Sequence, residues 1–176
     1  MVATSTYMLV FRILHIMAGA AWAGSVFLFV VLIQPSAASV GPAAGPFMME
    51  LLGRRKMVAW LLSLAGTTVV AGLFLYWRVA DGFAGYGDFV TSRYGAVLTL
   101  GSLAAIGAFL IGMFGTRPNV ARLLELSGRA AGSEGGPSPE LAQSTGRVQV
   151  RLRRLARTAL GLIAIAVFAM ATARYW

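Results

Sequence analysis

His15 and Arg12 lie one helical turn apart and are the charge-bearing side chains that fall inside a long apolar stretch of this 176-residue chain. Ionisable groups at membrane depth are expensive, so each is a functional candidate by default. Arg12 sits near enough to the start of its stretch for its guanidinium to reach the headgroups along its own methylenes. His15 lies about 12 Å further in than Tyr7, too deep for a short imidazole to reach water. It must be hydrogen-bonded, paired or ligated. Met8, His15 and Trp22 recur at i, i+7 and i+14 and share one helix face. Met170, near the other terminus, falls at a similar depth. An imidazole with a thioether suits haem iron or copper. The competing reading is a neutral histidine donating to a Ser, Thr or backbone carbonyl on a neighbouring helix.

Other chemistry is scarce. With no cysteine and a single histidine, thiolate catalysis, Cys-ligated metals and multi-histidine sites within one chain are excluded. No phosphate loop, dinucleotide fingerprint, HExxH or nucleophile elbow is present, so no catalytic residue is assigned. Asp81 and Asp88 sit in a glycine-rich segment between Arg78 and Arg93, read as an interfacial turn whose charges pair with those arginines. Met48, Met49 and Met57 could pass a soft metal ion or simply fill gaps.

The elements that must position these residues are membrane helices. The chain is 58% hydrophobic and only 12% charged, with a mean hydropathy of +0.75. A soluble domain carries roughly twice that share of charge. Crossing about 30 Å of hydrocarbon takes about 20 apolar residues, and four stretches qualify: 7–34, 57–77, 94–114 and 158–173. Pro35 and Ser36 are expected to close the first. The fourth is short, and Arg157 and Arg174 extend it by snorkelling. The expected fold is all-α, a four-helix transmembrane bundle forming one integral membrane domain over 1–176.

The formal charge of +9 finds its place in that topology. Arg54, Arg55 and Lys56 lie between spans one and two. Arg117, Arg122, Arg129, Arg147, Arg151, Arg153, Arg154 and Arg157 lie between spans three and four. Four spans put both groups on one side, leaving Arg12, Arg78, Arg93 and Arg174 for the other. The positive-inside rule then places both loops in the cytoplasm and both termini outside, in the inner (plasma) membrane. Tyr7, Tyr76, Trp77, Tyr94, Tyr175 and Trp176 form the outer aromatic belt. The N-terminus lacks a basic n-region and a clear cleavage site, and reads as a retained first helix. Arg over Lys with abundant Ala and Gly points to a GC-rich bacterial genome.

In the cytoplasmic loop, 115–157, an amphipathic helix is expected over Pro118–Arg129, then a Gly/Ser/Pro-rich stretch, then a helix from Glu140 that runs into span four. Arg147, Arg151 and Arg154 form a basic stripe at i, i+4 and i+7. With Arg54, Arg55 and Lys56 they are expected to meet anionic lipid headgroups, not nucleic acid. Gly41-Pro42 and Gly45-Pro46 should break helix after span one, with a short helix over 47–52. Gly101, Ala105, Ala108 and Gly112 line one stripe of span three, Ser63, Thr67 and Ala71 lie on span two, and Gly161, Ala169 and Ala173 lie on span four. Small residues allow close approach of helices within a bundle or between subunits.

Leu14-His15 followed by Trp22 and Gly24, the pattern LH-x6-W-x-G ending near Pro35, resembles the first helix of copper-resistance D (CopD-like) membrane proteins. It is more distantly similar to HemJ-type protoporphyrinogen oxidases. The closing Met170-Ala171-x-Ala173-Arg174-Tyr175 also looks like the end of small four-span members of this group. The resemblance implies copper handling or haem b binding, with His15 as the ligand and Trp22 beside it. Members with metal roles use further histidines, which this chain lacks. A second ligand would come from a methionine, a cofactor or another subunit. The alternative is a non-catalytic accessory subunit of a larger respiratory or photosynthetic complex, or a homo-oligomer. In that setting His15 could hold a chlorophyll magnesium.

Overall fold

The computed structural model describes residues 2–133 and 136–175, with side chains from Thr6 onward. Trp176, assigned to the aromatic belt, lies outside the described residues. All regular structure among them is helical. Four helices are long and apolar enough to cross a membrane: Thr6–Arg54, Met57–Ala80, Arg93–Ala131 and Pro139–Tyr175. This is the build of a multi-pass membrane protein.

The first path begins as α1 (Val2–Leu28) and does not stop at Pro35. A π-helical turn over Phe29–Ile33 leads directly into α2 (Gln34–Val40), with Pro35 in its first turn. Proline lacks an N–H and crowds the preceding turn of a helix. The wider π turn accommodates both, so the chain passes the residue expected to end it. The break comes at Gly41, whose φ of 68° a residue with a side chain rarely adopts. A 3-10 turn, Gly41–Ala44, then leads into α3 (Gly45–Met49) and a π turn over Glu50–Arg54.

Helix α4 (Met57–Ala80) starts after Lys56, and a short α5 (Tyr86–Thr91) follows it. The glycine-rich segment is therefore more than a turn. It folds because Phe89 has an aromatic nest to fill. Phe89 is 0% exposed, with Tyr76 and Phe83 rings 5.1 and 5.0 Å away and Tyr94 at 6.4 Å. Asp81 pairs with Arg78 at 2.8 Å as expected, whereas Asp88 makes no ion pair among the described residues. The Ser92 hydroxyl accepts from the Gly95 N–H at 3.0 Å and caps α6 (Arg93–Leu110).

A π turn over Ile111–Thr116 carries α6 without interruption into α7 (Arg117–Ala131). Val120 and Leu126 of α7 are buried, while Arg122, Glu125 and Arg129 are exposed. Helix α8 (Pro139–Thr172) opens on Ser138, whose hydroxyl accepts from the Leu141 N–H. At 34 residues it far exceeds the 158–173 stretch, because the basic stripe continues the same helix.

Packing closes a ring. Helix α1 lies chiefly on α4, and α6 on α8; α4–α6 and α1–α8 contacts complete it, and α7, continuing α6, packs on the first part of α8. Trp22, Ala65, Ala108 and Ile163 form the central cluster. Leu52, Val120, Leu126, Val148 and Leu152 form a second cluster at the α7 end. The outward faces remain apolar, with Ile16, Met17, Val70, Leu103 and Phe168 exposed. Contiguous exposed apolar surface on this scale fits a lipid solvent.

Candidate functional site

His15 projects from α1 into the α1–α4 seam. Its Nδ1 lies 2.8 Å from the backbone carbonyl oxygen of Thr68. A carbonyl only accepts, so Nδ1 carries the proton and Nε2 keeps its lone pair. The Thr68 hydroxyl is already committed, donating to the Leu64 carbonyl at 2.8 Å. That leaves the Thr68 carbonyl as the histidine's partner, shared with the helix ladder. Room for the ring comes from Gly72, where a Cβ would lie 2.8 Å from the His15 Cε1. One turn along α1, Gly19 brings the backbone against the Thr68 methyl, at 3.3 Å from its would-be Cβ. Nε2 makes no hydrogen bond among the described residues, and no unpartnered polar side-chain atom there is sealed from the surface. The nitrogen that could ligate is therefore open.

The other candidates are dispersed. Met8 is half-buried two turns before His15, about 10.5 Å along the axis. Trp22, two turns beyond, is 6% exposed and belongs to the central cluster. Met170 packs on α6, with its Cγ 3.5 Å from the would-be Cβ of Gly101. His15 and Met170 thus face different seams, α1–α4 and α6–α8, and are not brought together as a ligand pair. Among the described residues no group of three or more His, Cys, Asp or Glu could hold a metal ion. Arg12 is exposed and makes no ion pair there.

The small-residue stripe of α6 faces inward. A Cβ on Gly101 would lie 2.9 Å from the Ala169 Cβ and 3.3 Å from the Ala166 carbonyl. Ala105 packs with Ala104 and Ala166, and Ala108 joins the central cluster. A Cβ on Gly112 would lie 3.1 Å from the Leu62 Cδ2 of α4. On α4 Ala71 is buried as expected, whereas Ser63 and Thr67 are exposed and Ala65 and Thr68 are buried in their place. Gly161 of α8 also faces outward with nothing within 4 Å, whereas Ala169 and Ala173 are buried.

Of the basic residues expected at headgroups, Arg54 and Arg55 both reach Glu50, at 3.4 and 3.0 Å. Lys56, Arg147, Arg151 and Arg154 are exposed and form no ion pair among the described residues. The stripe of three arginines borders a shallow depression with Gly146 and Val150. Met48, Met49 and Met57 line a larger, half-open cavity at the α7 end.

Sequence reasoning passed over Thr68 and Gly72. A glycine inside an apolar span signals close approach, and Gly72 is such a glycine. Thr68 contributes only its backbone carbonyl, which no residue type announces. Comparison with family models, with curated proteins and with solved structures finds no match to this chain.

Proposed function

We propose that this protein is a plasma-membrane protein of CopD-like type, with both termini outside, and that His15, through Nε2, would hold a haem. The Nδ1–H bond to the Thr68 carbonyl at 2.8 Å is what a non-ligating histidine would also make. The observation that carries this reading is that the bond leaves Nε2 without a hydrogen bond among the described residues and not sealed from the surface. Histidines that bind metals characteristically donate their other ring N–H to a carbonyl or carboxylate, which fixes the tautomer and raises the basicity of the ligating nitrogen. A single imidazole can hold a haem, and this chain has one histidine to offer. Copper fits less well, because the candidate thioethers, Met8 and Met170, lie two turns away along α1 and on the α6–α8 seam. A bound haem would supply one-electron or ligand-binding chemistry. The chain's own contribution is to hold one imidazole, in one tautomer, at membrane depth.

Absorption spectroscopy and metal analysis of protein purified in mild detergent test this. The expected result is a Soret band that His15→Ala removes while the helical circular dichroism persists. A colourless, metal-free preparation overturns it.

The second reading, an accessory subunit or homo-oligomer, draws on Gly24 and Gly161. Both lie on outward faces with nothing within 4 Å, as surfaces for close approach of another helix would. Co-purification with a partner complex supports it, and purification as a lone monomer counts against it.

A further inference from the structure

All four spanning paths line a cavity of about 780 Å³ at the α7 end of the bundle. That volume falls in the range of pockets that enclose a small organic molecule. Folded interiors otherwise hold few voids larger than a water molecule. Its inner end is formed by Trp22, Ala65, Ala108 and Ile163 of the central cluster. Its walls include Leu61 and Leu152, and Gln149 and Arg153 stand among its polar lining residues. Water requires two to four polar partners at each position, and the polar lining residues, Gln34, Thr116, Ser127, Gln149 and Arg153, are few among mostly apolar ones. The fitting occupant is therefore apolar along most of its length.

Arg153 is the charged side chain on this lining. It is exposed and forms no ion pair among the described residues. It also lies off the Arg147, Arg151 and Arg154 stripe, which borders the separate surface depression. An apolar cavity with an unpaired cation on its lining, in a chain surrounded by lipid, matches an acyl chain attached to an anionic headgroup. We infer that the cavity takes an acyl chain of an anionic phospholipid from the surrounding leaflet, with the phosphate held by Arg153. A guanidinium binds phosphate oxygens through paired N–H donors. Flexible methionines such as Met57 suit a chain of variable shape.

Trp22 reports on this directly, because it forms the inner end of the cavity. The full chain is reconstituted in phosphatidylcholine vesicles containing rising fractions of phosphatidylglycerol brominated on its acyl chains. Bromine quenches an indole it touches. Subtracting the signal of Trp22→Phe removes the contributions of Trp60, Trp77 and Trp176. The expected result is half-quenching of the Trp22 component at a lipid fraction at least five-fold lower for brominated phosphatidylglycerol than for brominated phosphatidylcholine. Arg153→Gln should abolish that difference, and Ala156→Phe, which narrows the cavity, should abolish the quenching. Absence of quenching by either lipid, or equal quenching by both in the unsubstituted protein, overturns the inference. Should Trp22→Phe fail to fold, native mass spectrometry of the unsubstituted protein decides. One retained anionic lipid, lost in Arg153→Gln, supports the assignment; a lipid-free spectrum overturns it.

Discussion

His15 and Gly72 share one space across the α1–α4 seam. A methyl group on Gly72 would stand 2.8 Å from the His15 Cε1 and 2.9 Å from its Nδ1. The same ring donates to the Thr68 carbonyl one turn before Gly72, so the histidine is held by a backbone acceptor and admitted by an absent side chain. Gly72→Ala is expected to displace the imidazole and destabilise the protein by about 1–3 kcal/mol, the usual cost of overpacking. In a His15→Ala background the methyl has room, and its cost should fall below about 0.5 kcal/mol. Unfolding in detergent across the four proteins measures the coupling. Equal costs in both backgrounds would show that the two residues do not compete.

Gly95 sets the α5–α6 corner by a harder constraint. Its would-be Cβ lies 1.9 Å from the Phe89 carbonyl oxygen and 2.7 Å from the carbonyl carbon. Backbone cannot swing aside as a ring can. The Ser92 hydroxyl also ties the corner, donating to that same carbonyl at 2.6 Å. Gly95→Ala is expected to cost about 3 kcal/mol, the top of the overpacking range, and to speed hydrogen exchange over residues 86–96. Unchanged exchange there would mean the corner tolerates the methyl.

Four apolar runs were legible because crossing a bilayer demands length and hydropathy, both properties of the sequence itself. Which face turns inward was legible on α6, whose small residues pack against the bundle, but only in part on α4, because lipid rewards apolar side chains as well as a core does. Ser63 and Thr67 were therefore chosen on α4 where Ala65 and Thr68 are buried. Pro35 read as a stop since nothing in the sequence announces the π turn that absorbs it. The depth of His15 followed from counting residues, but its partner is a carbonyl, and the register of α1 on α4 alone selects which one. Helix α5 hid inside a glycine-rich segment because its cause, the burial of Phe89, is a tertiary contact.

Glu140 stands in the first turn of α8. Its own backbone N–H, and then the Ser138 hydroxyl, hold its carboxyl below the usual glutamate range. A depressed folded value means the carboxylate supports this turn above the unfolded pKa of about 4.3. That support is lost as pH falls through the lower folded value. Amide exchange at Leu141 and Ala142 should therefore accelerate on acidification below about pH 4.3, beyond the intrinsic exchange trend. Glu140→Gln should abolish the acceleration. A Gln variant with the same pH profile would remove Glu140 from the cause.

Lys56 occupies the left-handed region, with φ 50° and ψ 40°, immediately before α4. Its carbonyl accepts from Ala59 and Trp60 at 2.9 and 3.2 Å, so the conformation is fixed by the helix it starts. A side chain there costs about 1 kcal/mol that glycine avoids. Lys56→Gly is expected to raise stability by up to that amount, read from the unfolding midpoint in detergent. Lys56→Ala removes the same charge but keeps the strain, and should bring no gain. A gain in both variants would assign the effect to charge.

Gly101 and Gly24 separate packing inside the bundle from packing between chains. Gly101 already has a neighbour, since its would-be Cβ lies 2.9 Å from the Ala169 Cβ across the α6–α8 seam. Gly24 has nothing within 4 Å. Gly101→Leu is therefore expected to destabilise the isolated chain, by at least the roughly 1–3 kcal/mol of an overpacked core. Gly24→Leu should leave the unfolding midpoint within about 0.5 kcal/mol of the parent, as surface substitutions usually do. If the protein works as a subunit, Gly24→Leu should still release it from its partner, because a bulky side chain keeps helix backbones apart. Size-exclusion chromatography alongside unfolding reads both effects. A stable Gly24→Leu protein that keeps its assembly would show that this face of α1 meets only lipid.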